Sequence, residues 1–400
     1  MKPILPTRPS LPLTLIAAVA IALPAACLAA VNIIASPHPG GQSWLQGIAA
    51  VSSTDAWAVG GFVNTAGATE TNVLQWNGKN WAKVASPSPG NTARCSAAEN
   101  SSVLFGVSAT SETNALAVGG FHQCSQKDKT LIVLWNGSVW TKVASPNPSA
   151  TGNNDLYAVS ANSATDAWAV GSYDTATGTQ ALILRWNGAS WALESNPTVP
   201  GSVLNAVQAN ASDDVWAVGV VNGNGTSQTL AEHWDGTSWS VVPSPNVTGA
   251  VADGFSAIAS ASSTEALAVG QYLQVNNGIS SYQTMAALWN GDQWALIPTI
   301  DPSSSINILT GVAALSPTSA CAVGYYFNTT KNQYQTLFET WNGRSWTITA
   351  SPNAGIADQL FGTAAIPGTT DTLAVGAYSK TGSQGTALVS PLDLTMLNTP

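Results

Sequence analysis

The chain has little charge, few histidines and few cysteines. Of its 400 residues, 8% are Asp, Glu, Lys or Arg, 3 are His and 4 are Cys. A helical bundle or coiled coil needs many more charged side chains to solvate its outer faces, so that class is excluded. The net charge of −9 is also opposite to the basic surface of a nucleic-acid-binding protein, so no nucleic-acid partner is expected.

Familiar catalytic and metal-binding motifs are also missing. The sequence contains no Gly-x-Ser-x-Gly, His-Glu-x-x-His, Cys-x-x-Cys or Walker loop. The three histidines, His38, His122 and His233, fall in different repeats, so a metal site would have to be assembled across the molecule. We therefore assign no catalytic residue from motifs and expect no metal and no cofactor.

Long hydrophobic runs are confined to the N-terminus. Residues 1–30 have the parts of a secretory signal peptide, with Lys2 and Arg8 before an apolar run at 13–23 and small residues after it. That run is too short to cross ~30 Å of hydrocarbon, and no later segment approaches the necessary length. The sequence therefore predicts a secreted protein without a transmembrane segment, and a lipid anchor on Cys27 is the less favoured alternative.

Repetition dominates the sequence after residue 45. Ala-Val-Gly recurs seven times, with its valine at Val59, Val118, Val170, Val218, Val269, Val323 and Val375. Trp-Asn/Asp-Gly-x-x-Trp recurs six times, with the pairs Trp76/Trp81, Trp135/Trp140, Trp186/Trp191, Trp234/Trp239, Trp289/Trp294 and Trp341/Trp346. A Ser-Pro-x-Pro segment or a relative follows most of these pairs. A single repeat unit cannot bury both faces of its sheet, so the copies must pack on one another.

Each unit predicts four short antiparallel strands, which we call a to d. In the first unit they are predicted over 45–51, 56–62, 71–76 and 81–85. Asn77-Gly78 predicts a hairpin between c and d, because both residues tolerate positive φ. The Pro-rich segment ends strand d, since proline cannot donate to a ladder.

The two ends of the chain complement each other. Residues 360–394 lack the Trp-Asn-Gly-x-x-Trp element, whereas 31–39 look like a strand d with its Ser-Pro-x-Pro ending. A ring closed by this strand avoids the exposed edges of an open arc. We therefore predict an all-β fold, a seven-bladed β-propeller of four-stranded antiparallel blades. It forms a single domain over 31–400, and 31–40 supplies the outer strand of blade 7. A linear array of seven units is the alternative.

The repeat resembles the kelch repeat. The resemblance rests on Gly60-Gly61 and Gly119-Gly120 after strand b, an aromatic residue on strand c, and a tryptophan followed by a Pro-rich exit. Only two units keep both glycines, and the motif set is more similar to kelch-related propellers of secreted bacterial proteins. The resemblance implies the fold and no particular activity, because propellers host binding, scaffolding and catalysis alike.

The loops b–c and d–a vary between units, whereas the tips on the opposite face barely change. Variable loops on a rigid scaffold are typical recognition surfaces. Aromatic residues at the base of these loops form the predicted binding set: Phe62, Phe121, Tyr173, Tyr272, Tyr326 and Tyr378. Aromatic faces beside Asn and Gln suit sugars, and packing between blades is the alternative explanation for these side chains.

Several carboxylates and cysteines in the loops do not recur from unit to unit. Four carboxylates that the repeat does not fix are the ones to test for catalysis: Glu70, Asp128, Asp174 and Asp253. Cys95 and Cys124 lie in loops on the same face of the second unit. Export permits oxidation, so a disulfide between them is a candidate, with two free thiols as the alternative.

These features favour a secreted, monomeric, non-enzymatic scaffold. The predicted ligand is a glycan or another extracellular surface, bound through the variable b–c and d–a loops. One alternative is an extracellular polysaccharide hydrolase or lyase that uses loop carboxylates. Another is a structural or protein–protein interaction module.

Overall fold

A computed structural model describes residues 30–39, 41–223, 225–380 and 392–399. The predicted signal peptide therefore lies outside the described residues, except for Ala30. The regular secondary structure of the described chain is β-strand, apart from a short 3₁₀ helix at Ala97–Glu99. Within these residues, no helix has the length and apolar character needed to cross a membrane.

The strands form seven groups of four, in the order that the repeat predicts. The chain begins with β1 (Ala30–Ile34). Blade 1 contains β2 (Gln42–Ser52), β3 (Asp55–Val63), β4 (Thr69–Trp76) and β5 (Trp81–Lys83). Blade 2 contains β6 (Ser101–Ser111), β7 (Asn114–His122), β8 (Lys129–Trp135) and β9 (Trp140–Val143). Blade 3 contains β10 (Asn154–Ser163), β11 (Asp166–Thr175), β12 (Gly178–Trp186) and β13 (Trp191–Leu193).

The remaining blades follow the same order. Blade 4 contains β14 (Ser202–Ala211), β15 (Asp214–Gly223), β16 (Thr226–Trp234) and β17 (Trp239–Val241). Blade 5 contains β18 (Ala252–Ser262), β19 (Glu265–Asn276), β20 (Ile279–Trp289) and β21 (Trp294–Ile297). Blade 6 contains β22 (Asn307–Ser316), β23 (Ser319–Asn328), β24 (Gln333–Trp341) and β25 (Trp346–Ile348). Blade 7 contains β26 (Ala357–Ala365), β27 (Thr372–Ser379) and β28 (Leu392–Thr399), and β1 adds its outer strand.

The predicted hairpin between strands c and d forms, but its backbone differs from the prediction at Asn77. Trp76 pairs with Trp81, so the connection is the four-residue segment 77–80 between the predicted strands. Gly78 takes the positive φ, at 88°. Asn77 instead accepts two bonds on its Oδ1, from the backbone N–H of Lys79 at 3.0 Å and of Asn80 at 2.8 Å. The side chain of Asn therefore holds the turn, and only Gly needs the left-handed backbone.

Tryptophans interlock neighbouring blades. The ring of Trp57 on strand b of blade 1 lies 4.8 Å from the ring of Trp135 and 5.0 Å from that of Trp140 in blade 2. Trp168 and Trp216 make the same contacts with the tryptophan pairs of blades 4 and 5. These rings are almost fully buried, so they stabilise the stack of blades without charge pairs.

The ring closes as the ends of the chain predict. β1 pairs antiparallel with β28, with Val31 opposite Asn398. The Asn72 Nδ2 of blade 1 donates to Asp393 Oδ2 of blade 7 at 3.0 Å, so the first and last blades are bonded directly. Leu45 of blade 1 also packs in one buried cluster with Val375 of blade 7. The fold is a closed seven-bladed β-propeller, and the linear-array alternative is wrong. The closing strand begins at Ala30, one residue before the predicted boundary.

Candidate functional site

A bulge in every strand a builds the central channel. In blade 1 the pairing shifts between Leu45 and Gly47, so Gln46 stands outside the ladder. The equivalent residues of blades 2 to 7 are Phe105, Tyr157, Asn205, Ser256, Thr310 and Phe361. All seven line a central cavity of ≈ 470 Å³. A bulge changes the direction of one side chain. Each blade therefore contributes to the channel one residue that the in–out alternation of side chains along the strand does not predict.

The two halves of this ring differ in chemistry. Blades 7, 1, 2 and 3 contribute three aromatic rings and Gln46, and the rings of Phe105 and Tyr157 lie 5.9 Å apart. Blades 4 to 6 contribute smaller polar side chains that bond to the scaffold. Asn205 Nδ2 donates to the backbone carbonyl of Phe255 in blade 5 at 2.8 Å. Thr310 Oγ1 donates to the backbone carbonyl of Leu360 in blade 7, also at 2.8 Å. The described residues that line the cavity include no charged side chain.

A polar network lies on the loop face between blades 2 and 3. His122 Nδ1 lies 2.7 Å from Asp128 Oδ1. Asn153 connects this pair to the next blade, since its Oδ1 accepts the backbone N–H of Asp128 at 3.2 Å and its Nδ2 donates to Asp174 Oδ2 at 2.9 Å. The structure thus brings together two of the four carboxylates that the sequence singled out, Asp128 and Asp174.

The sequence analysis missed Asp155, which lies beside this network. Burial raises the pKa of Asp155 to about 7, and the charges of Asp128 and Asp174 add to the shift. Its carboxylate fills the space beside Gly120, where a Cβ would clash with Asp155 Oδ1. A blade-by-blade comparison could have found it, because the equivalent strand-a position is uncharged in every other blade: Trp44, Val103, Val203, Gly254, Ile308 and Gln359.

Tyr157 connects the central cavity to this network. It is the channel-lining residue of blade 3, and its hydroxyl lies 3.3 Å from the hydroxyl of Ser172, which pairs with Asp155 across the blade. Burial raises the pKa of Tyr157, and the charge of Asp155 adds to that shift. Within the part of the chain that the structure describes, no three His, Cys, Asp or Glu side chains are placed to hold a metal ion.

The other two predicted carboxylates have structural roles. Glu70 Oε1 accepts bonds from Asn64 Nδ2 at 2.7 Å and Asn91 Nδ2 at 2.8 Å, which ties the b–c loop to the segment after strand d. Asp253 is only 5% exposed and accepts the backbone N–H of Val247 at 2.8 Å. Residues at the same strand position do the same in other blades: Ser102, Asn154, Asn307 and Asp358. The prediction that the repeat does not fix Asp253 is therefore wrong.

The predicted aromatic binding set does not form one exposed surface. Phe62, Phe121 and Tyr378 are buried, and Phe121 and Tyr378 belong to clusters between blades. Each of these three rings is covered by its neighbours, which favours the packing alternative over the predicted binding role. Tyr326 is half-buried and donates its hydroxyl to Gln335 Oε1 at 2.9 Å. The remaining two, Tyr173 and Tyr272, each line a cleft.

The candidate disulfide is present in the structure. Cys95 and Cys124 are bonded, with their Cα atoms 5.4 Å apart. The bond joins the loop before blade 2 to the b–c loop of that blade. Cys321 is a buried free thiol in the strand-b slot that Trp57 fills in blade 1.

Known structures share this architecture. A structure described as YCF48 bound to D1 peptide superimposes with a TM-score of 0.51 at 11% identity, over 92% of this chain and 96% of that one. The fold is that of a β-propeller. A polysaccharide lyase of family PL25, an ulvan lyase bound to -[GlcA(1-4)Rha3S]-, gives a TM-score of 0.50 at 11% identity over 92% of this chain and 94% of that one. A second structure of a PL25 ulvan lyase gives 0.52 at 10% identity, over 91% and 95% of the two chains. No protein-family model and no curated protein sequence matches the chain.

Proposed function

We propose that the protein is a secreted, kelch-like β-propeller that acts as a binding scaffold for an extracellular glycan. The ligand would enter the central cavity, which is lined by aromatic, amide and hydroxyl side chains. The observation that carries this proposal is the ring of seven bulge residues, which places one side chain from each blade around a single uncharged cavity.

The chemistry of the ring supports a neutral ligand. Phe105, Tyr157 and Phe361 provide apolar faces on one side, and Asn205, Ser256 and Thr310 provide polar atoms on the other. Sugars present both kinds of surface, and binding sites of this type combine an apolar lining with a few fixed polar groups. An ionised ligand would find no opposite charge among the described lining residues.

A glycan array and a cell-wall pulldown, carried out with a channel-blocking variant, test this proposal. Ser256→Trp places a large ring in the cavity and should abolish the sugar binding that occurs in the channel. Ser263→Trp is the matched control, because Ser263 is exposed at the opposite, a–b corner of the same blade. Equal binding by the wild type and Ser256→Trp, or no retained sugar at all, would contradict the proposal.

A catalytic function is the second candidate, and Asp155 is the observation that favours it. A carboxyl group with a pKa of about 7 is partly protonated at neutral pH, so it can donate a proton to the leaving oxygen of a glycosidic bond. The charges of Asp128 and His122 act on Asp155, and the charge of Asp155 acts on Tyr157. Release of reducing ends from a polysaccharide panel, lost in Asp155→Asn and retained in Glu70→Gln, would establish it. If the wild type releases none, the catalytic alternative fails.

A further inference from the structure

Four blades close their outer half with one repeated contact. A threonine on strand c bonds the serine that follows strand d, with Oγ···Oγ distances of 2.6 to 2.8 Å. The pairs are Thr71/Ser86, Thr130/Ser145, Thr229/Ser244 and Thr336/Ser351. We call this contact the Thr–Ser lock. The Ser-Pro-x-Pro segment is thereby held against the blade.

Blades 3, 5 and 7 lack the Thr–Ser lock. In blade 7, Asp393 takes the position of the threonine. In blade 3, Ala181 takes the position of the threonine, so no hydroxyl is available. In blade 5, Thr284 bonds instead to Asp301, which accepts from both its backbone N–H at 2.8 Å and its Oγ1 at 2.9 Å. Blades 3 and 5 each have a cleft at this place, of ≈ 430 Å³ in blade 3 and ≈ 350 Å³ in blade 5.

The walls of the two clefts match. Tyr173 and Leu193 line the cleft of blade 3, and Tyr272 and Leu296 line that of blade 5. Each tyrosine is the last aromatic residue of its strand b, and each leucine stands two residues after the tryptophan that opens strand d. The leucines are 54% and 40% exposed although they lie on β-strands. The two clefts are therefore equivalent sites in the repeat.

Blades 1 and 2 show how the same place is closed elsewhere. Lysine replaces leucine in strand d, and its ammonium group covers the aromatic ring at the tyrosine position. Lys83 Nζ lies 3.8 Å from the ring centroid of Phe62, and Lys142 Nζ lies 4.3 Å from that of Phe121. A cation over an aromatic face is an attractive contact, so these two rings are not available to a ligand.

The lining of the clefts defines a ligand class. Each cleft combines one aromatic ring and one leucine with hydroxyl groups, and blade 3 adds the amides of Gln180 and Asn196. Each contains one carboxylate and, among its described lining residues, no basic side chain. With the net charge of −9, this disfavours an anionic polymer. Two equivalent sites on one rim also suit a ligand with a repeating unit, such as a polysaccharide chain.

We propose that the clefts of blades 3 and 5 bind separate segments of one neutral polysaccharide chain. Engaging both clefts makes the second binding event intramolecular, so a polymer binds more tightly than its short oligosaccharides. This proposal rests on residues outside the central cavity and stands independently of ligand binding there.

Leu193→Lys and Leu296→Lys test the proposal by copying the closure that blades 1 and 2 use. Both leucines are exposed, so the folded blade accommodates the change. Ile348→Lys is the matched control, because Ile348 holds the same position in blade 6, is 42% exposed, and lies in a blade with the Thr–Ser lock. The probes are a soluble mixed-linkage β-glucan, a galactomannan and the short oligosaccharides made from each. Calorimetry gives stoichiometry and affinity, and circular dichroism checks the fold.

For a probe that the wild type binds, we expect each single variant to lose one equivalent of oligosaccharide and to bind the parent polymer at least about tenfold more weakly. The double variant should lose two equivalents, whereas Ile348→Lys should keep both. If the wild type binds neither polymer, or if the double variant keeps the wild-type stoichiometry, the proposal is wrong. Loss of binding in Ser256→Trp with no change in the double variant would assign the sugar to the channel and also overturn it.

Discussion

Blades 2 and 3 are neighbours with the same four strands, yet they treat the repeat differently. Blade 2 keeps the Thr–Ser lock at Thr130 and covers its aromatic ring with Lys142. Blade 3 has Ala181 and Leu193 at these two positions and adds Asp155 on strand a. The backbone pairing is the same in both. Residues that follow the repeat therefore stabilise the propeller, and the residues that depart from it open clefts and introduce titratable groups.

The largest expected effect is the loss of stability when a tryptophan at a repeated position is replaced, compared with a tryptophan that the repeat does not share. Trp168 is fully buried against the tryptophan pair of blade 4, so Trp168→Ala should lower the free energy of unfolding by about 3–5 kcal/mol. Trp44→Ala is the comparison, because Trp44 is only partly buried and no other blade has a tryptophan at its strand-a position. Urea unfolding measures both. A larger loss for Trp44→Ala would contradict the view that the repeated positions carry the stability.

The loops of blades 2 and 3 are anchored by different bonds, and this gives the second prediction. Blade 2 uses the disulfide, which closes a loop with a sequence separation of 29, whereas blade 3 uses Asn153 bonded to Asp174. Replacing both Cys95 and Cys124 by Ser should cost roughly 3–4 kcal/mol, because the unfolded chain regains the entropy of the open loop. Thermal unfolding with and without reductant measures this. A variant as stable as the oxidised wild type would contradict it.

Buried carboxylates give the third prediction, which concerns pH. The strand-c slot that holds Leu74 in blade 1 holds Glu339 in blade 6. Burial, with the charge of Asp301 in second place, raises the pKa of Glu339 to about 8 from 4.5. The folded protein therefore keeps a proton that the unfolded chain releases. The free energy of unfolding should fall by roughly a few kcal/mol as the pH rises from about 5 to 8.

Glu339→Leu tests this attribution against the blade 1 arrangement. The variant should be more stable than the wild type at about pH 8 and should lose less stability between about pH 5 and 8. Burial also raises the pKa of Glu232 to about 7, so part of the slope should persist. Unfolding curves at several pH values measure the slope. A wild type that gains stability over this interval would contradict the prediction.

The smallest expected effect concerns the Thr–Ser lock itself. Thr130→Ala gives blade 2 the residue that blade 3 has at this position, and it removes one hydroxyl contact with Ser145. The expected cost is about 1–2 kcal/mol, and Thr130→Ser should recover most of it. The segment after strand d should also exchange its amide hydrogens faster in Thr130→Ala, because the bonds of the hydroxyl to Ser145 and to the carbonyl of Pro146 are lost. Unchanged exchange there would show that the lock does not close the blade.

The repeat was sufficient to predict the number of blades, the strand order and the ring closure, because each depends on spacing along the chain. It was insufficient for the candidate site. The ring of Gln46, Phe105 and their equivalents depends on a bulge, which shifts one residue without any signal in the alternation of the strand. Phe62 belongs to the predicted binding set because it stands at the end of strand b, at the base of a loop. Lys83 covers its ring but comes from another strand, so the local sequence does not show this contact. Asp155 is not predicted as a site residue because it lies on a strand a, which the repeat predicts to be small and apolar.

Hydrogen exchange of the wild type with and without a bound neutral polysaccharide tests the central claim most directly, because it reports every blade in one measurement. We expect protection at the residues after strand d in blades 3 and 5, around Asn196 and Thr299, and at the strand-a bulges around the channel. The equivalent segments of blades 1, 2 and 6, where the Thr–Ser lock is closed, should be unchanged. Equal protection of all blades, or protection confined to the Asn-Gly tips of the opposite face, would contradict the claim that function resides where the repeat is broken.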